Sequence, residues 1–256
     1  MTRIAVITGA ARGIGAATAR ALARDGWALA LGDVCADDPA LSYPLASRAE
    51  LDAVAAETGA AVAMPCDVRR AADVDALVAA AAEHGEVQAA VAVAGILGGA
   101  GVAWRLDDPT IERDLDVNFR GVVHLARAAV PHLLRVAGVG RFVAVTSAAG
   151  ADGLPQLASY SAAKHAAMGF VRSLAADLAP MEVTANAVLP GSTDTPLLAA
   201  TAHVYGLASP QEFGRHQRTG RLVRPDEVAA VIAWLVSPDA SGITGAAVPV
   251  DGAFTG

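Results

Sequence analysis

Lysine is nearly absent from this sequence: Lys164 stands alone among nineteen basic residues, and the other eighteen are arginine. Cysteine is scarce too, and Cys35 and Cys66 offer neither a disulfide framework nor a metal-binding spacing, so two ordinary thiols and no metal are expected. Hydrophobic residues reach 54% and the mean hydropathy is +0.42, yet no apolar run approaches the ~18 residues of a membrane span. Positive charge is not in excess. A net charge of −7 and a pI near 5.3 exclude a general nucleic-acid binder, which needs clustered Lys and Arg. Gly/Ser/Pro-rich linkers and solenoid-period repeats are missing, so a single domain over 1–256 is expected. A strand-like segment begins at Arg3, leaving no room for a signal peptide, and the expected location is the cytoplasm.

What is present is alternation. Short β-branched runs at 3–8, 27–33, 61–66, 88–94, 140–147, 182–189 and 246–250 read as strands. Between them, segments of helical period fall at 13–25, 48–58, 70–84, 109–137, 158–180 and 225–236. Repeated strand–helix units predict an α/β fold around a parallel sheet. Two stretches break the rhythm. Residues 34–47 carry two prolines and two acids where connections usually take ~2–6 residues. Residues 192–224 hold His203, Tyr205, Phe213 and His216, and long segments at the carboxyl end of a parallel sheet are where ligands bind.

After the first strand comes Thr8-Gly9-Ala10-Ala11-Arg12-Gly13-Ile14-Gly15, opening the first helix. Glycines let the backbone turn sharply and approach a pyrophosphate, and the helix N-terminus offers it free N–H groups. Asp33 closes the second strand about twenty residues on, at the motif's position for an acid. A carboxylate there accepts from both ribose hydroxyls and repels a 2′-phosphate, which predicts NAD rather than NADP. Arg12 then serves structure or the pyrophosphate. Asp67, ending the third strand before Val68, either meets the adenine amino group or caps a turn.

Tyr160 and Lys164 are spaced i, i+4, which puts both on one helix face. A phenol near pKa ~10 is too weak a base at neutral pH. A cation about 4 Å away at an effective dielectric near 20 is worth ~4 kcal/mol, or roughly 3 pKa units. With help from an oxidised nicotinamide, Lys164 would thus make Tyr160 a general acid–base for an alcohol oxygen. Ser147 closes the fifth strand and can hold that oxygen beside the phenol. Asn118 is one of two asparagines and lies mid-helix, where Asn is a poor former. A kink holding a proton-relaying water would explain it.

Thr8 to Gly15, Asn118, Ser147, Tyr160-x-x-x-Lys164 and Asn186-Ala187-Val188-Leu189-Pro190-Gly191 together resemble the classical short-chain dehydrogenase/reductase family. The likeness spans the chain to Ile243-Thr244-Gly245 and Val250-Asp251-Gly252. It implies a Rossmann-type doubly wound sheet of seven strands, an Asn118–Ser147–Tyr160–Lys164 tetrad, and hydride exchange between nicotinamide and a secondary alcohol or ketone. Implied cofactor contacts are Gly9, Arg12, Gly13, Ile14, Gly15, Asp33, Asp67 and Val68 toward the adenosine side. Toward the nicotinamide they are Ala94, Gly95, Tyr160, Lys164, Pro190, Gly191, Thr193 and Thr195. A homotetramer built on the helices carrying Asn118 and Tyr160 is implied as well.

One motif departs. The family's Asn-Ala-Gly after the fourth strand is Val93-Ala94-Gly95 here, so an apolar contact should replace the asparagine. That departure and the 34–47 insertion are similar to the mycofactocin-associated members of the family. The similarity implies an insertion over the adenosine end, NAD held without ready exchange, and a mycofactocin redox partner that reoxidises it in place. An NADPH-dependent ketoacyl or carbonyl reductase is the alternative that Asp33 opposes. A non-catalytic dinucleotide-sensing regulator is the other, opposed by the intact tetrad. Leu97, Trp104, Leu154, Leu157, Leu197, Leu198, His203 and Tyr205 are expected to line an apolar substrate pocket.

Overall fold

A computed structural model describes residues 2–136 and 138–255. Seven strands form one sheet: β1 Arg3–Thr8, β2 Ala28–Asp33, β3 Val62–Pro65, β4 Glu86–Ala92, β5 Arg141–Val145, β6 Thr184–Pro190 and β7 Ala247–Val250. They are all parallel, in the order β3-β2-β1-β4-β5-β6-β7. Such a sheet is covered on both faces, so its strands read as continuous apolar runs. In β1, Ile4 and Val6 face one core, and Ala5 and Ile7 face the other. The strand order reverses between β1 and β4, which opens a crevice at their carboxyl ends.

The covering helices are α1 Gly13–Arg24, α2 Arg48–Thr58, α3 Ala71–Ala82, α4 Asp108–Leu115, α5 Gly121–Leu133, α6 Ala158–Leu178, α7 Pro196–Val204 and α8 Pro225–Leu235. Helices α1 and α8 meet through Ala17, Ala21 and Ala229, small side chains that permit close approach. Ser47 and Glu50 form a capping box that ends the insertion and starts α2. No helix among the described residues is long and apolar enough to cross a membrane. No group of three metal-ligating side chains occurs among them either.

The segment expected as one helix over 109–137 is divided. A π-helical turn at Asp116–Arg120 separates α4 from α5, and Asn118 sits inside it. One extra residue per turn re-aims the side chain, and such bulges recur at functional sites. Helix α5 ends at Leu133, and position 137 itself lies outside the described residues. Strand β4 begins two residues earlier than expected, so Val93 and Ala94 leave the sheet at its carboxyl end. Helix α7, inside the expected 192–224 loop, carries too little period for the sequence to announce it.

Candidate active site

The crevice at the switch point holds a cavity of about 160 Å³ that opens toward a second of about 500 Å³. Ile14, Val93, Gly95, Thr195 and Leu197 line both.

The smaller cavity is built on the turn after β1. Gly9 has φ +69° and stands where a Cβ would lie 2.6 Å from the Ala94 backbone. At Gly15 a Cβ would lie 1.9 Å from the Gly9 carbonyl oxygen, so no other residue closes this turn. Arg12, Gly13, Asp33, Asp67, Val68 and Ala94 line the same space. The Asp33 carboxylate accepts from the Ala11 N–H at 2.9 Å and the Val34 N–H at 2.8 Å. Two of its roughly four lone-pair sites remain for hydroxyl donors. Burial raises the Asp33 carboxyl above its usual value, with those backbone donors working the other way. The free lone pairs suit the hydroxyls of a diol, and the negative charge opposes a second anion beside it.

Asp67 both lines the cavity and braces the turn after β3. Its carboxylate accepts from the Arg69 N–H at 3.0 Å and from the Arg69 guanidinium at 2.7 Å. Arg69 also reaches Asp38 in the insertion, at 3.0 Å. Arg12 donates to the Pro44 carbonyl at 2.9 Å, so this guanidinium points at the insertion. Leu41 and Leu45 pack on the core that includes α3, and Asp38, Leu41, Tyr43 and Leu45 line the cavity together with Gly9. Residues 34–47 therefore form part of the wall of the nucleotide crevice.

Tyr43 fastens this part of the wall. Its hydroxyl donates to the Leu97 carbonyl at 3.1 Å and accepts from the Leu97 N–H at 2.8 Å. The sequence placed Tyr43-Pro44 in the insertion but not this tie, since a lone tyrosine before a proline carries no periodic signal. Asn118 secures the preceding residue, accepting from Ile96 N–H at 3.1 Å and donating to Ile96 O at 3.0 Å. The backbone after β4 has no ladder partner there, so side chains meet its hydrogen-bonding demand. Val93, in the departed motif, packs against the core beneath α1.

Tyr160, Lys164 and Ser147 line the larger cavity with Pro190, Gly191 and Thr193. The Lys164 side chain is 3% exposed, and its Nζ lies 5.7 Å from the centre of the Tyr160 ring. It donates to the Val145 carbonyl at 3.1 Å. A Cβ on Gly95 would lie 3.1 Å from Asn118 Oδ1 and 3.3 Å from Lys164 Nζ, so both atoms converge on that glycine. Thr195 caps α7 through Leu198 N–H at 3.3 Å, fixing the loop that joins the two cavities.

Burial pushes the Tyr160 phenol up to about 12, with a contact from Ser147 opposing it. Burial also brings the Lys164 ammonium down to about 8. In the protein alone, burial governs both groups. The expected lowering of the phenol counted on an oxidised nicotinamide as well as on Lys164.

Leu97, Leu154, Leu157, Leu197, Leu198 and Tyr205 line the larger cavity. Trp104 does not: it is 81% exposed on a turn before α4. His203 also points to solvent, on the outer side of α7. Both sit on short elements whose apolar faces the sequence pattern could not orient.

A dinucleotide crevice, a buried lysine and a phenol at the rim of an apolar cavity define a nicotinamide-type oxidoreductase. The family model described as enoyl-(acyl carrier protein) reductase, of the short-chain dehydrogenase type, matches residues 9–255. The chain belongs to the short-chain dehydrogenase/reductase family. It is 41% identical to cis-4-hydroxycyclohexanecarboxylate dehydrogenase of Sinomonas cyclohexanicum over 99% of this chain and 96% of that protein. It is 36% identical to (−)-trans-carveol dehydrogenase of Rhodococcus erythropolis, over 99% and 97% respectively. The crystal structure of carveol dehydrogenase from Mycobacterium avium in complex with NAD superposes with a TM-score of 0.91 at 27% identity, covering 98% of this chain and 96% of that one.

Proposed function

We propose that the protein exchanges hydride between NAD and a hydrophobic, alicyclic secondary alcohol or its ketone. We further propose that the cofactor stays behind the 34–47 wall between turnovers and is reoxidised in place by a mycofactocin-type acceptor. The observation that carries the first part is the meeting of Tyr160, Lys164 and Ser147 with an apolar cavity at the mouth of the nucleotide crevice. Relatives named for alicyclic alcohols support the substrate class. Asp33 favours NAD over a 2′-phosphorylated cofactor, which weighs against the ketoacyl reductase reading.

Bound NAD supplies the two-electron acceptor, or as NADH the donor. The protein supplies the proton path and the orientation. Ser147 holds the substrate oxygen, and Tyr160 takes the hydroxyl proton during oxidation and returns it during reduction. Lys164 keeps a positive charge beneath the phenol. At neutral pH the protein alone holds protons on both Tyr160 and Lys164. That state serves carbonyl reduction directly, whereas oxidation requires a deprotonated phenol. The oxidation rate is therefore expected to climb with pH, about tenfold per unit below the controlling pKa, while reduction, which uses the protonated phenol, stays level until that pKa is reached. Initial rates in both directions between about pH 6 and 9 check this, and an oxidation rate that stays flat would exclude Tyr160 as the base.

The 34–47 wall supports slow cofactor exchange, and its ties differ in weight. The exposed Arg69–Asp38 pair is worth about 0–1 kcal/mol. Loss of the Tyr43 hydroxyl leaves both the N–H and the carbonyl of Leu97 unpaired, at about 1–3 kcal/mol. Wild-type protein should retain near-stoichiometric NAD(H) after dialysis, measured in the supernatant after denaturation. Tyr43→Phe should release it about tenfold faster, and Arg69→Ala less than about threefold. An emptied wild type that rebinds NAD freely would count against in-place reoxidation.

A further inference from the structure

Asp114 is a fully buried carboxylate that the reading of the site so far leaves without a task. Burying an anion is costly unless donors replace its water. Three do so here, each from a different segment. Gly98 N–H reaches Oδ1 at 2.7 Å, the Ser159 hydroxyl reaches Oδ2 at 2.6 Å, and the Asn118 amide nitrogen reaches Oδ1 at 3.3 Å. The adjoining Arg113 guanidinium donates to the carbonyl of the same Gly98, at 2.9 Å. Gly98 must be glycine for this, since a Cβ there would lie 2.9 Å from Asp114 Oδ1.

We infer that Asp114 is a positioning residue for proton transfer: it orients the Asn118 amide and acts as the buried counter-charge that keeps Lys164 an ammonium. The inference rests on Tyr160 and Lys164 being the acid–base pair. A carboxylate accepts and never donates when ionised, so it can face only the nitrogen end of the Asn118 amide. That leaves Asn118 Oδ1 on the Gly95 side, where Lys164 Nζ also converges. Ser159 immediately precedes Tyr160 on α6, so the same carboxylate ties the helix that carries both reacting side chains.

An anion in a water-poor site raises the proton affinity of every group near it. Asp114 does this to both Lys164 and Tyr160, so its removal shifts both in one direction. The other charged or titratable groups around them are few. From α4 comes Arg113, beside Gly98. From the insertion comes the Tyr43 phenol, on Leu97. In the π turn, Asp116 and Arg120 pair with each other in an exposed cluster with Glu112. On α5, His124 is engaged with the Val68 carbonyl. On α6, His165 binds back to the Ser161 carbonyl. Strands β5 and β6 present no charged side chain at their carboxyl ends.

The solitary lysine makes the test direct. Protein labelled with ¹³C-lysine carries a single labelled side chain, so NMR titration follows Lys164 without a substrate or an electron acceptor. In wild type the midpoint is expected near about 8. Asp114→Asn should move it down by about one unit, and Ser159→Ala, which keeps the charge, should leave it in place. The acid limb of the oxidation profile should move down with it. Asp114→Leu gives the same reading if Asp114→Asn does not fold. An unmoved Lys164 midpoint in a folded Asp114 variant would overturn the inference, as would equal shifts in the Asp114 and Ser159 variants. Because the titration needs no turnover, a moved midpoint with an unmoved kinetic limb would fault the acid–base reading of Tyr160 and Lys164 instead.

Discussion

Tyr160→Phe is expected to lower kcat by roughly 10²–10⁴-fold, the span a positioned general acid–base contributes. The ring stays, so the packing at the cavity rim stays with it. What leaves is the one hydroxyl placed beside Ser147 at the mouth of the nucleotide crevice. Asp33 and the Gly9–Gly15 turn are untouched, and cofactor content should match wild type. Single-turnover absorbance at the nicotinamide band, with cyclohexanol-type substrates and a dye acceptor, separates chemistry from cofactor loss. A variant turning over within about threefold of wild type would remove Tyr160 from the proton path. A dinucleotide-sensing protein would give a different pattern, with no substrate-dependent reduction in wild type either.

Most of the sheet was legible because each strand of a parallel sheet is apolar throughout and bounded by turns. Strand β1 over 3–8 and helix α2 over 48–58 carry their limits in the sequence, the latter through the Ser47–Glu50 box. The residues expected on the cofactor sit on one or the other cavity wall because each belongs to a local motif read in chain order. What escaped were the long-range polar ties. Tyr43 meets Leu97 across 54 residues, Asp114 meets Ser159 across 45, and Arg69 meets Asp38 across 31. Side-chain hydrogen bonds of this reach, to backbone or to another side chain, leave no period in the sequence. Asp114 did leave a trace, an acid four residues before a mid-helix Asn118, which is one helix face. The π turn that contains Asn118 was visible only as the kink that a mid-helix asparagine suggested.

Lys164→Arg should cost at least about 10² in kcat/KM, although it keeps the charge and every other basic residue in the chain is arginine. The space decides the matter. Lys164 is 3% exposed, with Nζ 3.1 Å from the Val145 carbonyl and close against Gly95. A planar guanidinium is broader than an ammonium, so it must displace Asn118 or the backbone after β4. Overpacking of this kind costs about 1–3 kcal/mol of stability and spoils the alignment under the phenol. Titration decides it as well. Burial brings the ammonium to about 8, within reach of exchanging a proton near working pH. Arginine stays charged above pH ~12 and cannot take part. Lys164→Met removes the charge at similar bulk, so it isolates electrostatics from shape. If charge alone mattered, Arg would retain most activity and Met almost none. The geometry here predicts that both fall together, with Arg the less stable in thermal unfolding. Retention of more than about a third of wild-type kcat/KM by Lys164→Arg would mean that any cation serves, and the solitary lysine would then be an accident of composition.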